Sequence, residues 1–324
     1  MKKAPSSRAS ADDRLFRLGT GFFAFLVVLL VAAIAYELVK DSRLSIQKFG
    51  LRFWSTTIWD PVAGNFGALP FIWGTLYSAI TAMVISTPIA LGIAVFLSEL
   101  SPRRLRTPLA FLTELLAAIP SIVYGLWGIF VLVPIVRQLE VHTPEWMRKL
   151  PLFSGPPLGV GMLAASLILA VMVIPFTSSV AREVLKAVPA TQREAAYALG
   201  ATRWEAIQAA MRYGRTGILG AILLGFGRAI GETMAVTMVI GNNPRISTSL
   251  FAAQHTMAAV IANEFTEADT DLYLNALIEI GLVLFVITLV VNGLSRLLIW
   301  SVSRDVKAKA PALPAVSAMP ETSA

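Results

Sequence analysis

The chain has 324 residues, of which 56% are hydrophobic and 15% are charged, and its mean hydropathy is +0.70. These values lie outside the range of soluble globular domains and indicate an integral membrane protein. The net charge of +7 does not indicate nucleic acid as a partner, because basic cytoplasmic loops give a membrane protein the same charge. Cysteine is absent, which excludes a disulfide framework, a thiolate metal site and a cysteine nucleophile.

Side chains that commonly carry catalysis or bind metals are sparse. The two histidines, His142 and His255, stand alone in polar stretches without HxxxH spacing, so we predict solvated loop residues and no metal site. The extramembrane segments hold no recognisable metal triad, nucleophile with a base, or spaced pair of carboxylates. We therefore predict no catalytic residue, which argues against an enzyme embedded in the membrane.

Six apolar runs are each long enough to cross about 30 Å of hydrocarbon as an α-helix. They are Leu18–Val39, Phe71–Leu97, Leu109–Val136, Leu158–Val180, Gly217–Gly241 and Leu274–Trp300. Pro120 predicts a kink near the start of the third run. The first run has a competing interpretation as a cleavable signal peptide, because Ala33 and Ala35 are small residues at a possible cleavage site. It continues past them without polar spacing, which favours a retained span.

The predicted fold is thus all-α, with six transmembrane helices in residues 18–300, an N-terminal tail (1–17) and an alanine- and proline-rich, disordered tail (301–324). Six spans place both termini on one side. The segments on that side hold roughly twice as many Lys and Arg residues as the opposite loops, so both tails are predicted to be cytoplasmic. On the opposite side, Trp54 and Trp59 suit the membrane interface, and a short amphipathic piece is expected around Trp146.

The cytoplasmic loop 181–214 carries the signals of two short helices. A T-x-x-E capping box begins at Thr191 and a second at Thr202. Gly200 suits a left-handed helix end between them, and Gly214 supplies a second stop. We therefore predict two short helices that meet at Gly200.

One face of the second helix is apolar. Trp204, Ile207 and Met211 fall at positions i, i+3 and i+7, opposite Arg203 and Gln208. Two interpretations stay open: the stripe packs against its own membrane domain, or it fits a groove on another protein.

The fifth run carries charges at membrane depth. Arg228 and Glu232 are one helical turn apart and share a face of the predicted helix. The structural interpretation is an ion pair that locks the helix to its neighbours. The functional interpretation is that Arg228 offers its donor fork to an oxyanion, Glu232 orients the arginine, and Thr233 adds a hydroxyl. Gly227 and Gly231 are expected to let other helices approach closely.

The residues of this region carry a family resemblance. The string EAAYALGATRWEAI resembles the EAA loop of ABC importer permeases, with Glu194, Ala195, Ala196 and Gly200 at the matching positions. The following GILGAILLGFGRAIGETMAV is similar to permeases of phosphate importers, of the PstC type. The family's usual Ile-x-Leu-Pro ending is replaced by the residues at 210–213, AMRY, so a less sharp end to the coupling helix is expected.

The resemblance implies a type I importer in the cell membrane. Its partners would be a homologous permease, a dimer of ATP-binding subunits, an extracytoplasmic phosphate-binding protein, phosphate and membrane lipid. ATP and magnesium are expected on the ATP-binding subunits, because this chain has no G-x-x-x-x-G-K-[ST] sequence and needs no cofactor of its own. The residues implied in coupling to the ATPase are Glu194, Ala195, Ala196, Gly200, Arg203 and Trp204.

Two alternatives remain at this point. The first is an ABC permease for another oxyanion, such as sulfate, molybdate or phosphonate, because Arg228 and Glu232 do not distinguish phosphate from these. The second is a secondary transporter that uses Glu232 as a proton carrier. The EAA segment argues against the second, since a secondary transporter needs no docking helix for an ATPase.

Overall fold

The computed structural model describes residues 7–308, and predictions about residues 1–6 and 309–324 lie outside this range. The α-helices, in chain order, are α1 Ser7–Asp41, α2 Arg43–Phe49, α3 Leu69–Val95, α4 Arg103–Ala117, α5 Ser121–Trp127, α6 Val133–Val141, α7 Glu145–Arg148, α8 Met162–Lys186, α9 Ala190–Ala198, α10 Arg203–Tyr213, α11 Arg215–Ile230, α12 Met234–Thr237, α13 Met257–Glu264 and α14 Asp271–Ala308. The shorter helical turns are 3₁₀ at Gly50–Trp54 and Pro151–Phe153, and π at Phe96–Leu100 and Gly128–Leu132. The predicted all-α class is confirmed.

Five stretches of helix in the described range are long and apolar enough to cross a membrane. They are Asp13–Asp41, Leu69–Leu100, Ser121–Val141, Met162–Lys186 and Asp271–Val302. These overlap the predicted first, second, third, fourth and sixth spans. The predicted fifth span, 217–241, is interrupted, so a count of six continuous spans is not confirmed.

The third span begins later than predicted. Residues 109–117 belong to α4, a separate helix that starts at Arg103, whereas the membrane-crossing stretch starts at Ser121. Pro120 separates the two because proline disfavours the helical conformation of the preceding residue and lacks an N–H donor. The predicted kink is therefore a complete break, and most of the loop predicted at 98–108 is helical.

The first and last helices extend beyond the apolar runs. Helix α1 starts at Ser7, so residues 7–17 of the predicted tail are helical. Helix α14 continues to Ala308, so residues 301–308, predicted as disordered, are helical as well. Once an apolar span has nucleated a helix, each further residue adds one hydrogen bond without a new nucleus, and hydropathy alone does not mark where this stops. The short helix expected around Trp146 is confirmed as α7.

The chain forms two compact units. Unit 1 comprises residues 7–86, Ala118–Val173 and Arg228–Leu289. Its core is rich in aromatic side chains: the ring of Trp59 meets those of Phe66 and Phe71 edge-on, at 4.9 Å in each case. The Trp59 indole N–H also donates to Glu264 Oε2 at 2.8 Å. Trp59, predicted at the membrane interface, is thus fixed within this aromatic cluster.

His255 overturns the prediction of a solvated histidine. The residue is 2% exposed, its ring lies edge-on to Phe71 at 5.4 Å, and Nδ1 accepts the backbone N–H of Thr256 at 3.1 Å. Burial lowers the pKa of His255 from 6.5 to about 4. The ring is therefore neutral at physiological pH. His142, by contrast, is exposed as predicted.

We expect the thermal stability of the protein to fall between pH 6.5 and about 4, partly through His255. Below pH 6.5 the unfolded ring takes up a proton that the folded ring resists, so the contribution of the neutral ring is complete above pH 6.5 and is lost as the pH falls. The shift corresponds to on the order of 3 kcal/mol. The measurement is the unfolding midpoint near neutral pH and near pH 5 for the unmodified protein, His255→Gln and His142→Gln. A smaller drop in His255→Gln alone is expected; equal drops in all three would contradict it.

A close contact between the backbones at positions 74 and 255, both in unit 1, requires glycine at position 74. A Cβ at this position would overlap the backbone carbonyl oxygen of His255. Gly74→Ala is therefore expected to destabilise the protein by about 1–3 kcal/mol, as overpacking of a tight core does. The control is Gly92→Ala, because Gly92 lies in the same helix with nothing within 4 Å of a Cβ. Unfolding midpoints measure both variants, and equal midpoints would contradict the prediction.

Unit 2 comprises residues Thr87–Ala117, Ile174–Gly227 and 290–308. Its core joins the end of α3, the end of α8, α10 and α11, through the buried side chains Ala94, Val95, Ala181, Leu185, Ile207, Ile218 and Ala221. Arg182 of α8 is 5% exposed and donates to Glu114 of α4 at 2.7 Å. This ion pair attaches α4 to the same unit.

Candidate functional site

The predicted fifth span is broken at its charged residues. Helix α11 ends at Ile230, and α12 starts only at Met234. Gly231 lies at the break, where the low helix propensity of glycine favours termination. Arg228 is thus in the last turn of α11, whereas Glu232 is outside any helix. The prediction that the two residues share one face of a continuous helix is wrong.

The break places each charge at a helix end that suits its sign. Arg228 lies at the C-terminal end of α11, where the carbonyl groups give a partial negative charge. Glu232 lies just before α12, and its Oε1 accepts the backbone N–H of Ala235 at 3.3 Å. Both side chains are half-buried. The end of α11 and the start of α12 therefore help to accommodate the two charges within an apolar run.

Thr233 follows Glu232 in the break and is bonded to the backbone. Its hydroxyl donates to the carbonyl of Gly231 at 3.5 Å, and its own carbonyl accepts the Thr237 hydroxyl at 2.7 Å. The role predicted for Thr233, a hydroxyl offered to a ligand, therefore stays a prediction. The structure brings Arg228, Glu232 and Thr233 together along six consecutive positions of one broken segment.

A non-helical segment, residues 241–256, follows α12 and is held within unit 1 by hydrogen bonds. Ala252 and Leu250 accept, through their carbonyls, the N–H groups of Met162 and Leu163 at the start of α8, at 3.0 and 2.7 Å. Trp73 donates its indole N–H to the carbonyl of Ser247 at 2.9 Å. These bonds give partners to backbone groups that no helix satisfies.

In the loop 181–214 the structure has two short helices, α9 and α10, where two were predicted. Gly200 joins them with φ +82°, the left-handed conformation that glycine adopts without penalty. At the start of α10, Thr202 Oγ1 accepts the N–H of Glu205 at 3.4 Å, and Glu205 Oε2 accepts the N–H of Thr202 at 2.7 Å. These bonds complete the predicted capping box and lower the pKa of Glu205. We call residues 190–213 the hairpin.

The capping box predicted at Thr191 is wrong. Helix α9 starts at Ala190, directly after Pro189, and has no side-chain cap. The ring of Pro189 fixes its φ angle directly before α9. The helix therefore begins at Ala190, and Thr191 lies inside its first turn. Gly214 ends α10 as predicted, and α11 follows at once.

The predicted apolar stripe of α10 is divided. Ile207 is 3% exposed and, with Met211, packs in the core of unit 2. Trp204 is 57% exposed, as are Tyr197 at 50% and Leu199 at 89% in the first half of the hairpin. We call Tyr197, Leu199 and Trp204 the hairpin patch. The packing interpretation thus holds for one part of the stripe, and the other part is open to a partner.

The remaining predicted coupling residues lie on or near the patch. Glu194, Ala195, Gly200 and Arg203 are exposed and Ala196 is half-buried. No sequence pattern predicted the ion pair of Glu99 with Arg193, which fixes the hairpin to the rest of unit 2. The only available signal was an arginine directly before the EAA string, and its partner lies 94 positions earlier in the chain.

Comparison with known proteins identifies similar sequences over most of the chain. Residues 86–304 match the family described as binding-protein-dependent transport system inner membrane component. The phosphate transport system permease protein PstC of Pasteurella multocida is 47% identical over 298 residues, which cover 90% of this chain and 93% of the relative. The protein of the same name from Mesorhizobium japonicum is 44% identical over 301 residues, covering 91% and 92%. That from Xylella fastidiosa (strain Temecula1) is 47% identical over 302 residues, covering 91% and 93%.

Similar solved structures include a chain of the methionine ABC transporter MetNI in an inward facing conformation. The TM-score is 0.54 at 16% sequence identity, and the match covers 72% of this chain and 94% of that chain. At this identity the likeness shows the fold alone, which this chain shares with a chain of that ABC transporter.

Proposed function

The chain belongs to the binding-protein-dependent transport system inner membrane components, and from that premise we infer that it is the permease subunit of an ATP-driven phosphate importer. The observation that carries this conclusion is the identity of 44–47% with phosphate transport system permeases over 90–91% of the chain. Proteins of this kind are transport subunits rather than enzymes. The chain accordingly lies in the inner membrane, which the five long apolar helices within residues 7–308 can cross.

Arg228, Glu232 and Thr233 are proposed to line the path of phosphate. A charge at the bilayer centre costs roughly 2.5–3.5 kcal/mol on insertion scales, so both charged residues should face protein or water. The planar fork of Arg228 suits two oxygens of a tetrahedral anion. Glu232, held by the N–H of Ala235, puts a negative charge into the same break. This charge weakens the hold of the arginine on an anion, and transport requires binding that is also easy to leave.

The hairpin is proposed to receive the movement of an ATPase. Support comes from the hairpin patch, because three large apolar side chains stay exposed within one short hairpin, as is typical of a docking surface. The residues proposed to couple to the ATPase are Glu194, Ala195, Ala196, Gly200, Arg203 and Trp204. ATP and magnesium would bind to that partner.

A permease of a binding-protein-dependent ABC system works with a binding protein and an ATPase. More specifically, we expect a homologous second permease, a dimer of ATP-binding subunits and an extracytoplasmic phosphate-binding protein. Both termini and the hairpin would then be cytoplasmic, in line with the excess of Lys and Arg on that side. Closure of the ATP-binding subunits would push the hairpins and switch the membrane path from outward to inward access.

Uptake of radiolabelled phosphate tests this function in cells that lack their own high-affinity phosphate importer. The cells express this chain with a second permease, an ATP-binding subunit and a phosphate-binding protein, and unlabelled sulfate, molybdate or phosphonate is added as competitor. We expect saturable phosphate uptake that unlabelled phosphate suppresses and the other oxyanions do not. Uptake suppressed by sulfate or molybdate as strongly as by phosphate would assign the chain to another oxyanion.

A further inference from the structure

Glu99 lies in the π-helical turn Phe96–Leu100 that directly follows α3. Its carboxylate accepts two hydrogen bonds from Arg193 of α9: Nε donates to Oε2 at 3.1 Å and Nη2 to Oε1 at 2.6 Å. The two side chains are 13% and 21% exposed respectively. Paired contacts of this kind between arginine and carboxylate fix geometry as well as charge.

Arg193 also bonds to the end of α8. Its Nη2 donates to the carbonyl of Leu185 at 2.8 Å and its Nη1 to the carbonyl of Val188 at 2.9 Å. Carbonyls at a helix end lack partners within the helix, and a basic side chain supplies them here. One guanidinium thus joins α9 to α8 and to the turn after α3.

The second helix of the hairpin reaches the same residue. Arg203, the first residue of α10, donates from Nη2 to the backbone carbonyl of Glu99 at 2.9 Å. The carboxylate of Glu99 therefore holds α9 while its carbonyl holds α10. Both halves of the hairpin are attached to one residue at the end of a membrane-crossing helix.

Apolar packing does not explain how α9 is held. None of its residues is buried, whereas Ala206, Ile207 and Ala210 of α10 are. The attachment of α9 therefore depends on polar contacts. Those made by Arg193 reach the end of α8 and the turn after α3. An exposed ion pair, such as Glu37 with Lys40 at 2.8 Å and 55% and 47% exposure, contributes little. The lower exposure of Glu99 and Arg193 makes the loss of one partner more costly.

We propose that Glu99, Arg193 and Arg203 form the link through which movement of the hairpin reaches α3, with Glu99 as the positioning residue at its centre. The link rests on the proposed function, because it presumes that an ATPase moves the hairpin. It adds to that function a defined route: force applied to α9 or α10 acts on the last turn of the second membrane span.

The test uses the complete transporter, with its ATPase and binding protein, reconstituted in proteoliposomes. The variants are Glu99→Gln, Arg193→Gln, the double variant, and Glu37→Gln as a matched control that removes an exposed carboxylate from an ion pair. Three quantities are measured: the amount of assembled complex, phosphate uptake per ATP hydrolysed, and hydrogen exchange of the backbone in residues 190–213.

We expect uptake per ATP to fall at least about fivefold in both single variants, as loss of an allosteric coupling does. The double variant should be no worse than either single variant, because the two residues act as one pair. Hydrogen exchange of α9 should rise in these three variants and stay unchanged in Glu37→Gln. A purely structural role would lower uptake only in proportion to the assembled complex.

Unchanged uptake per ATP, or losses that add up in the double variant, would overturn the link. The unmodified complex separates this result from a failure of the proposed function. If it takes up no phosphate, the proposed function is wrong and the link falls with it; if it takes up phosphate and Glu99→Gln leaves uptake per ATP unchanged, the link alone is wrong.

Discussion

Arg228→Gln is expected to abolish phosphate uptake while the transporter still assembles. Glutamine keeps hydrogen-bonding capacity and approximate size but removes the positive charge that would bind the anion. Loss of one partner from a desolvated charged contact costs 2–5 kcal/mol or more, so uptake should fall at least about thirtyfold. The measurement is radiolabelled phosphate uptake normalised to the amount of purified complex.

The matched control is Arg52→Gln, which removes an exposed arginine from the same unit. It should leave uptake unchanged. The competing explanation is that Arg228 only stabilises the packing of α11. That explanation predicts less assembled complex but normal uptake per complex, and this result would remove Arg228 from the phosphate path.

Gly200→Val is expected to uncouple ATP hydrolysis from transport. Gly200 has φ +82°, and nothing lies within 4 Å of a Cβ there, so valine meets a conformational penalty rather than a clash. A side chain in the left-handed conformation costs about 1–2 kcal/mol, and a β-branched residue is among the least tolerant. The turn should therefore change its angle and displace α9 relative to α10. Uptake per ATP hydrolysed should fall about tenfold, by the usual size of allosteric couplings.

The control for this variant is Gly200→Asn, because asparagine tolerates the left-handed conformation better than other residues with a side chain. It adds a longer side chain at the same exposed position, yet it should retain most of the coupling. Equal losses in the valine and asparagine variants would indicate that the surface of the hairpin matters and that its turn angle does not. Normal coupling in Gly200→Val would contradict the role of the hairpin in transmission.

Hydropathy predicted the helical class and most of the spans, because the cost of an unpaired backbone in lipid forces apolar runs to be helical. Hydropathy was less accurate about where the helices begin and end. Helix α1 starts 11 residues before the apolar run at Leu18, and α14 passes Trp300, since helices continue through polar residues that suit them. The proline at 120 was read correctly as a disturbance, but the separate helix α4 before it was missed.

The sequence suggested candidate site residues but did not predict how the backbone arranges them. Arg228 and Glu232 look like a helical pair by spacing alone, and only the structure shows that the helix ends between them at Ile230. The residue that favours this helix end is Gly231, because glycine has a low helix propensity. Tertiary contacts can override that propensity, so the sequence alone does not decide whether the helix ends there. His255 was misread because polar neighbours in sequence say nothing of the tertiary contact with Phe71.

Predictions for the loop 181–214 were more reliable where a local motif was sufficient. The capping box at Thr202 and the left-handed Gly200 follow from short-range chemistry, and both are confirmed. The predicted capping box at Thr191 is wrong because α9 begins at Ala190, directly after Pro189. The Glu99 to Arg193 contact joins positions 94 residues apart, which no local pattern predicts.

The central claim is that partner ATPase activity drives phosphate through a path formed in part by this chain. The most direct measurement is radiolabelled phosphate uptake into proteoliposomes that contain the purified complex, with ATP supplied to the ATPase side and the binding protein on the other. We predict uptake that requires hydrolysable ATP and continues when the proton gradient is dissipated. Uptake that proceeds without ATP and stops when the proton gradient is dissipated would contradict the claim and assign the chain to proton-coupled transport.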